Sequence, residues 1–203
     1  MIEEVYHGSE DEIINNFEKN GFQKSIRADF NDLIQGRQRN IGSLGVGTYA
    51  FLESEKLAAR FSKKQCRNPA VISFKIKYDA DNDSLNLLDN LRDMYSYGEY
   101  LENEKIKSSI EKFKSMYKDG RFLKRFQGAL IEYYIHEMVR TKKMDPVKVV
   151  KMGTYTPEDN NAVLFSSPNN GVEICIRDID IVDNTTITRV WYVQMEVYRY
   201  GKI

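Results

Sequence analysis

The chain has 203 residues, 30 basic and 30 acidic side chains and a formal net charge of +0 at pH 7. That balance excludes a bulk electrostatic pull toward nucleic acid or acidic surfaces, and a hydrophobic share of 41% with 12% aromatics excludes a disordered chain. The length fits one domain, 1–203, with a substantial core.

The elements follow in chain order. Residues 2–7 read as a strand and 10–20 as a helix, with Ser9 as N-cap, Glu10 to Glu12 at its positive end and Asn20-Gly21 as its stop. Residues 23–44 read as a polar loop with a short helix at 28–35, and Thr48 to Leu52 as a strand. Ser54 caps a helix reaching about Lys64, with Leu57, Ala58 and Phe61 on one face. Val71 to Tyr78 alternates as a half-buried strand. Residues 90–143 form a central helical insertion, broken near Tyr97-Gly98 and Asp119-Gly120. Val147 to Met152 reads as a strand, 154–171 as a surface loop, and Glu173 to Ile176 and Thr186 to Tyr200 as strands. The order gives an α+β domain with mixed or mostly antiparallel sheets.

No run approaches about 20 apolar residues, so no membrane span is expected. Glu3 and Glu4 stand where a secretory leader carries basic residues, so the expectation is a cytoplasmic protein. Cys66 and Cys175 lack metal-ligand spacing and read as reduced thiols, with no metal expected.

Three segments carry candidate chemistry. They are Tyr6-His7-Gly8-Ser9, then Gly45-Val46-Gly47-Thr48-Tyr49-Ala50-Phe51 leading into the Ser54 helix, and Glu173 at the head of Glu173-Ile174-Cys175-Ile176. Singly, the first is an ordinary turn, the second lacks the third glycine and ribose-binding acid of a dinucleotide fingerprint, and the third is a strand glutamate. In this order they resemble the His-Tyr-Glu signature of the diphtheria-toxin-like and poly(ADP-ribose)-polymerase-like ADP-ribosyltransferases, in a small bacterial toxin-type form.

The resemblance implies split β-sheets with an NAD cleft between them and NAD as co-substrate. His7 would bind a ribose hydroxyl, and Gly8 and Ser9 the nicotinamide carboxamide. Tyr49 would stack on the nicotinamide ring, while Gly45 and Gly47 let the chain pass close to the ligand. Glu173 would stabilise the oxocarbenium ion as the nicotinamide–ribose bond breaks, and would orient or deprotonate the acceptor. Phe61 stands for the second stacking aromatic of the polymerase-like members, or belongs to the core. Gly171, two residues before the glutamate, disfavours arginine as acceptor. The implied activity is mono-ADP-ribosylation of a protein or nucleic acid, as the toxin of a toxin–antitoxin or phage-defence system with an antitoxin protein as partner. A degenerate NAD- or ADP-ribose-binding module and an NAD glycohydrolase are the competing readings.

Two basic clusters bear on ligands. Lys105 to Arg125, with Phe113, Tyr117, Phe122 and Phe126 interleaved, is either a nucleic-acid surface or a solvated helix face with core aromatics. Arg37, Arg39, Arg60, Lys63, Lys64 and Arg67 would meet the NAD pyrophosphate or the target. His136 and Trp191 read as structural.

Overall fold

The computed structural model describes residues 1–24, 27–117, 123–154 and 171–190. Its first strand, β1 (Ile2–Glu10), runs longer than its apolar start suggests. The cause is its neighbour: β1 pairs antiparallel with β3 (Pro69–Lys77) from Ile2↔Lys77 to Glu10↔Pro69. Ser9 therefore lies in the strand rather than capping the helix. Helix α1 (Asp11–Asn20) starts after Glu10 with no side-chain cap. Asp11 N–H instead donates to the Asn68 carbonyl at 2.8 Å, and Asp11 and Glu12 complement the helix dipole. Gly21, at φ +67°, ends the helix as the sequence indicates.

Among the described residues one seven-stranded sheet runs in the order β4-β5-β6-β2-β1-β3-β7. The remaining strands are β2 (Thr48–Leu52), β4 (Ser84–Asn86), β5 (Val149–Thr154), β6 (Gly171–Ile176) and β7 (Val182–Val190). Among the described strands only β4 and β5 are parallel, as expected for a mostly antiparallel α+β domain. The split sheets expected from the resemblance are instead one continuous sheet, because β1 and β2 pair with each other. Strands β1 and β2 share only the register pairs Val5↔Leu52 and Tyr6↔Phe51.

Helix α3 (Glu55–Gln65), capped by the Ser54 hydroxyl, packs Leu57, Ala58 and Ala59 with Phe51 and Val71 on one half of the sheet. Beside it, on the same face, α6 (Leu123–Arg140) sets Ile131, Tyr134 and Ile135 against Leu44, Val150 and Cys175. The opposite face holds Val5, Ile14, Ile72, Phe74 and Ile174, with α1 supplying Ile14. Charge is buried there too: Lys151 pairs with Glu3 at 2.7 Å, and Tyr78 Oη donates to the other Glu3 oxygen at 2.6 Å.

Outside α6 lie α2 (Phe30–Ile34), α4 (Leu91–Glu102) and α5 (Glu104–Met116). The helical character expected for 90–143 holds, but the break at Tyr97-Gly98 does not. Helix α4 passes through Gly98, where an added Cβ would meet nothing within 4 Å, and turns at Asn103, whose side chain accepts from Lys105 N–H. Phe113 and Tyr117 are buried with Leu33 and Ile41, so their rings offer no stacking surface to nucleic acid. The expected break at Asp119-Gly120, Phe122, Trp191, the loop 155–170 and the last strand beyond Val190 lie outside the described residues. Among the described residues no helix is long and apolar enough to cross a membrane.

Candidate active site

The topology brings the three motif segments onto adjacent strands. Tyr49 of β2 pairs with Cys175 of β6, and Phe51 with Glu173. Because side chains alternate along a strand, Tyr49, Phe51, Glu173 and Cys175 share the face that α3 and α6 cover. Met152 of β5 and Tyr6 of β1 extend the Glu173–Phe51 row across the sheet. Glu173 thus stands at the boundary between the α3 cluster and the α6 cluster.

His7 occupies the joint between the sheet halves. Its Nδ1 lies 2.6 Å from the Tyr49 carbonyl oxygen, just past the last β1–β2 register pair. A carbonyl only accepts, so Nδ1 carries the proton and the neutral ring keeps Nε2 as an acceptor. Burial drives the imidazole pKa below its usual value, against the opposing effect of the Tyr49 bond. The ring meets Phe17 edge-on at 5.8 Å. By its register with Ile72, His7 belongs to the α1 face of the sheet, opposite Glu173.

Tyr49 is held by the turn that precedes its own strand. Its hydroxyl donates to the Gly45 carbonyl at 2.8 Å and accepts from Leu44 N–H at 2.8 Å. Burial is the main cause that pushes this phenol far above its ordinary pKa. A Cβ on Gly42 would sit 2.4 Å from the Tyr49 ring, so the turn already covers part of the surface expected to stack on nicotinamide. Gly42 and Gly45 close the turn through a bridge, and Gly45 adopts φ +101°, open to glycine at little strain.

Glu173 is 5% exposed and accepts a 2.5 Å hydrogen bond from Ser43 Oγ of the same turn. The turn is fixed from behind by Glu132 of α6, 3% exposed, whose carboxylate accepts Val46 N–H at 2.7 Å and pairs with Arg177. Burial lowers the Arg177 pKa, but the adjacent Glu132 charge outweighs it and the net shift is upward. Burial likewise pushes the Cys175 thiol up to about 12. Ser43, Glu132 and Arg177 escaped the sequence reading. The one available signal was a lone acid, Glu132, inside the apolar run Ala129-Leu130-Ile131 to Tyr133-Tyr134-Ile135.

The other expected residues are accounted for by packing. Gly8 is required because the α3 backbone crosses it: a Cβ there would lie 2.3 Å from the Ala58 carbonyl oxygen. Ser9 is half-buried in β1 opposite Ala70. Gly47 presses on β6, where a Cβ would be 2.5 Å from the Ile176 carbonyl oxygen. Phe61 is half-buried against Phe51, ring centroids 6.0 Å apart, which is the core alternative. Arg37 pairs with Asp32 at 2.9 Å, and His136 stacks on Phe30 at 3.4 Å.

Two cavities among the described residues lie elsewhere. One of about 790 Å³ is lined by Asn90, Ser96, Tyr100 and Tyr134, and one of about 520 Å³ by Phe30, His136, Val147 and Arg177. Neither contains His7, Tyr49 or Glu173, and volume without convergent chemistry is the weaker guide to a site. Among the described residues no group of three or more His, Cys, Asp or Glu side chains could hold a metal ion. Comparison with protein-family models, with curated proteins and with solved structures finds no match.

Proposed function

We propose that this protein is an NAD-dependent mono-ADP-ribosyltransferase acting on a macromolecular acceptor, and within that reading a toxin of a toxin–antitoxin or phage-defence system. One observation carries the reading. Motif segments up to 166 residues apart in sequence, His7, Tyr49 and Glu173, fall on three consecutive strands, β1, β2 and β6, beside the narrow joint of the sheet. Nothing in the composition demands this adjacency, and a different sheet order would have removed support for the reading.

The residues fit NAD in one respect. The β1–β2 ladder stops at Tyr6↔Phe51, so beyond it, among the described residues, the β1 edge has no register partner on the β2 side. Main-chain groups without a strand partner suit the donor and acceptor of a carboxamide. His7, its Nδ1 committed to Tyr49, keeps Nε2 as an acceptor on the α1 face of the sheet, so the ribose contact expected of it is not part of the Glu173 side of the site.

The chemistry follows from charge. The nicotinamide–ribose bond breaks with positive charge growing on the sugar, and a carboxylate held at low exposure stabilises that charge more than one in open water. Glu173 takes this role. It also accepts the proton of the incoming nucleophile, which completes transfer of ADP-ribose and releases nicotinamide.

The test uses NAD labelled on the adenylate phosphate, incubated with purified protein and a cell lysate, with Glu173→Ala in parallel. Label moving into macromolecules only with the parent protein supports the reading, and protease or nuclease sensitivity then names the acceptor. NAD consumed with label only in free ADP-ribose establishes a glycohydrolase. NAD bound but never consumed establishes a binding module.

A further inference from the structure

We infer that the buried Glu132–Arg177 pair is a positioning device, through which the helical segment holds the 42–46 turn and, by way of Ser43, sets the Glu173 carboxylate. This rests on the reading of Glu173 as the residue that serves NAD cleavage.

Three features fix the turn to α6. Glu132 accepts Val46 N–H at 2.7 Å and pairs with Arg177, whose Nε donates to the Val147 carbonyl at 3.2 Å. Gly128, one turn earlier on α6, lets the helix backbone touch the turn: a Cβ there would lie 1.9 Å from the Gly42 carbonyl oxygen. Gly45 faces Glu132 so closely that its own Cβ would lie 2.2 Å from Oε1. The turn in turn delivers Ser43 Oγ to Glu173 and both hydrogen bonds to the Tyr49 hydroxyl.

Stability alone does not account for the pair. A buried ion pair replaced by apolar groups of similar volume is often neutral or stabilising. What apolar groups cannot supply is the acceptor for Val46 N–H. The helical segment is therefore a fixed wall of the candidate site, and Glu132, Arg177 and Ser43 act on the reacting groups only through Glu173.

Two double variants separate positioning from folding. Glu132→Leu/Arg177→Met removes both charges and the acceptor. Glu132→Gln/Arg177→Met removes both charges but keeps an amide oxygen for Val46 N–H. Each is followed by thermal melting, amide hydrogen exchange of the 41–48 segment, and kcat and KM for nicotinamide release. Both should fold. The Leu/Met variant should exchange the turn amides at least about tenfold faster and lose on the order of 10- to 100-fold in kcat, with KM for NAD within about threefold. The Gln/Met variant should recover both protection and kcat. Ser43→Ala should lower kcat to a similar extent without releasing the turn. Unchanged protection in the Leu/Met variant overturns the inference, as does lost protection with kcat intact. If the parent releases no nicotinamide, the NAD reading fails separately. The anchoring is then decided by exchange: protection lost in Leu/Met and kept in Gln/Met supports it, and equal protection overturns it.

Discussion

Alanine at two helical glycines should act in opposite directions. Gly98 lies inside α4 with nothing within 4 Å of its would-be Cβ, and Gly128 lies inside α6 with the Gly42 carbonyl oxygen at 1.9 Å. Helix propensity favours alanine at both by about 0.8–1 kcal/mol. At Gly98 that term stands alone, so Gly98→Ala should raise Tm by roughly 2–4 °C. At Gly128 the backbones must separate by about 1.5 Å to reach ordinary contact, and overpacking of that kind costs about 1–3 kcal/mol or more. The shift also breaks the buried Val46–Glu132 hydrogen bond, for a further ~1–3 kcal/mol. The contact terms win, and Gly128→Ala should lose about 2–4 kcal/mol net, a fall in Tm of roughly 5–15 °C. Thermal melting by circular dichroism reads both. A Gly128→Ala protein at least as stable as the parent would refute the close packing of α6 on the turn.

Three further outcomes follow from buried groups. Glu3→Ala strands the Lys151 ammonium, whose side chain is only 7% exposed, and should cost about 3–5 kcal/mol in urea denaturation, whereas Glu3→Leu/Lys151→Met, which strands only the Tyr78 hydroxyl, should cost about 1–3 kcal/mol. His7 titrates below the usual histidine range because of burial. The unfolded chain therefore binds its proton more readily, so the stability His7 contributes is present above about pH 6.5 and is lost as pH falls toward the lower folded value. Imidazole chemical shifts against pH read this directly, and a His7 pKa at or above the ordinary value would contradict it. Of the two free thiols, Cys66 is partly exposed and Cys175 buried with its pKa near 12. A disulfide reagent at neutral pH should modify Cys66 in the folded protein and reach Cys175 only after denaturation.

Elements fixed by local signals are legible in the sequence, and those fixed by distant partners are not. Tyr49-Ala50-Phe51 and the Ser54 cap were legible because strand alternation and capping are read within a few residues. At Glu10 the acidic neighbours suit a helix N-terminus, while the partner that holds it in β1, Pro69, is remote. Gly98 reads as a break because glycine weakens helices, yet the capping side chain of Asn103 marks the actual turn. At the site, His7, Tyr49 and Glu173 were picked out by order and residue type. Their supports were not: Val46 finds Glu132 86 positions away, and Glu173 finds Ser43 130 positions away. Glycine at position 8 has a packing reason that no local pattern shows, the crossing of α3 close to its backbone.

The most direct measurement of the central claim is nicotinamide release from NAD by the purified protein, with Glu173→Ala beside it and NAD binding of both followed by calorimetry. The account predicts release by the parent, loss of release by at least about 100-fold in Glu173→Ala, and binding retained by the variant. Binding by the parent without release, or release that survives Glu173→Ala, would contradict it.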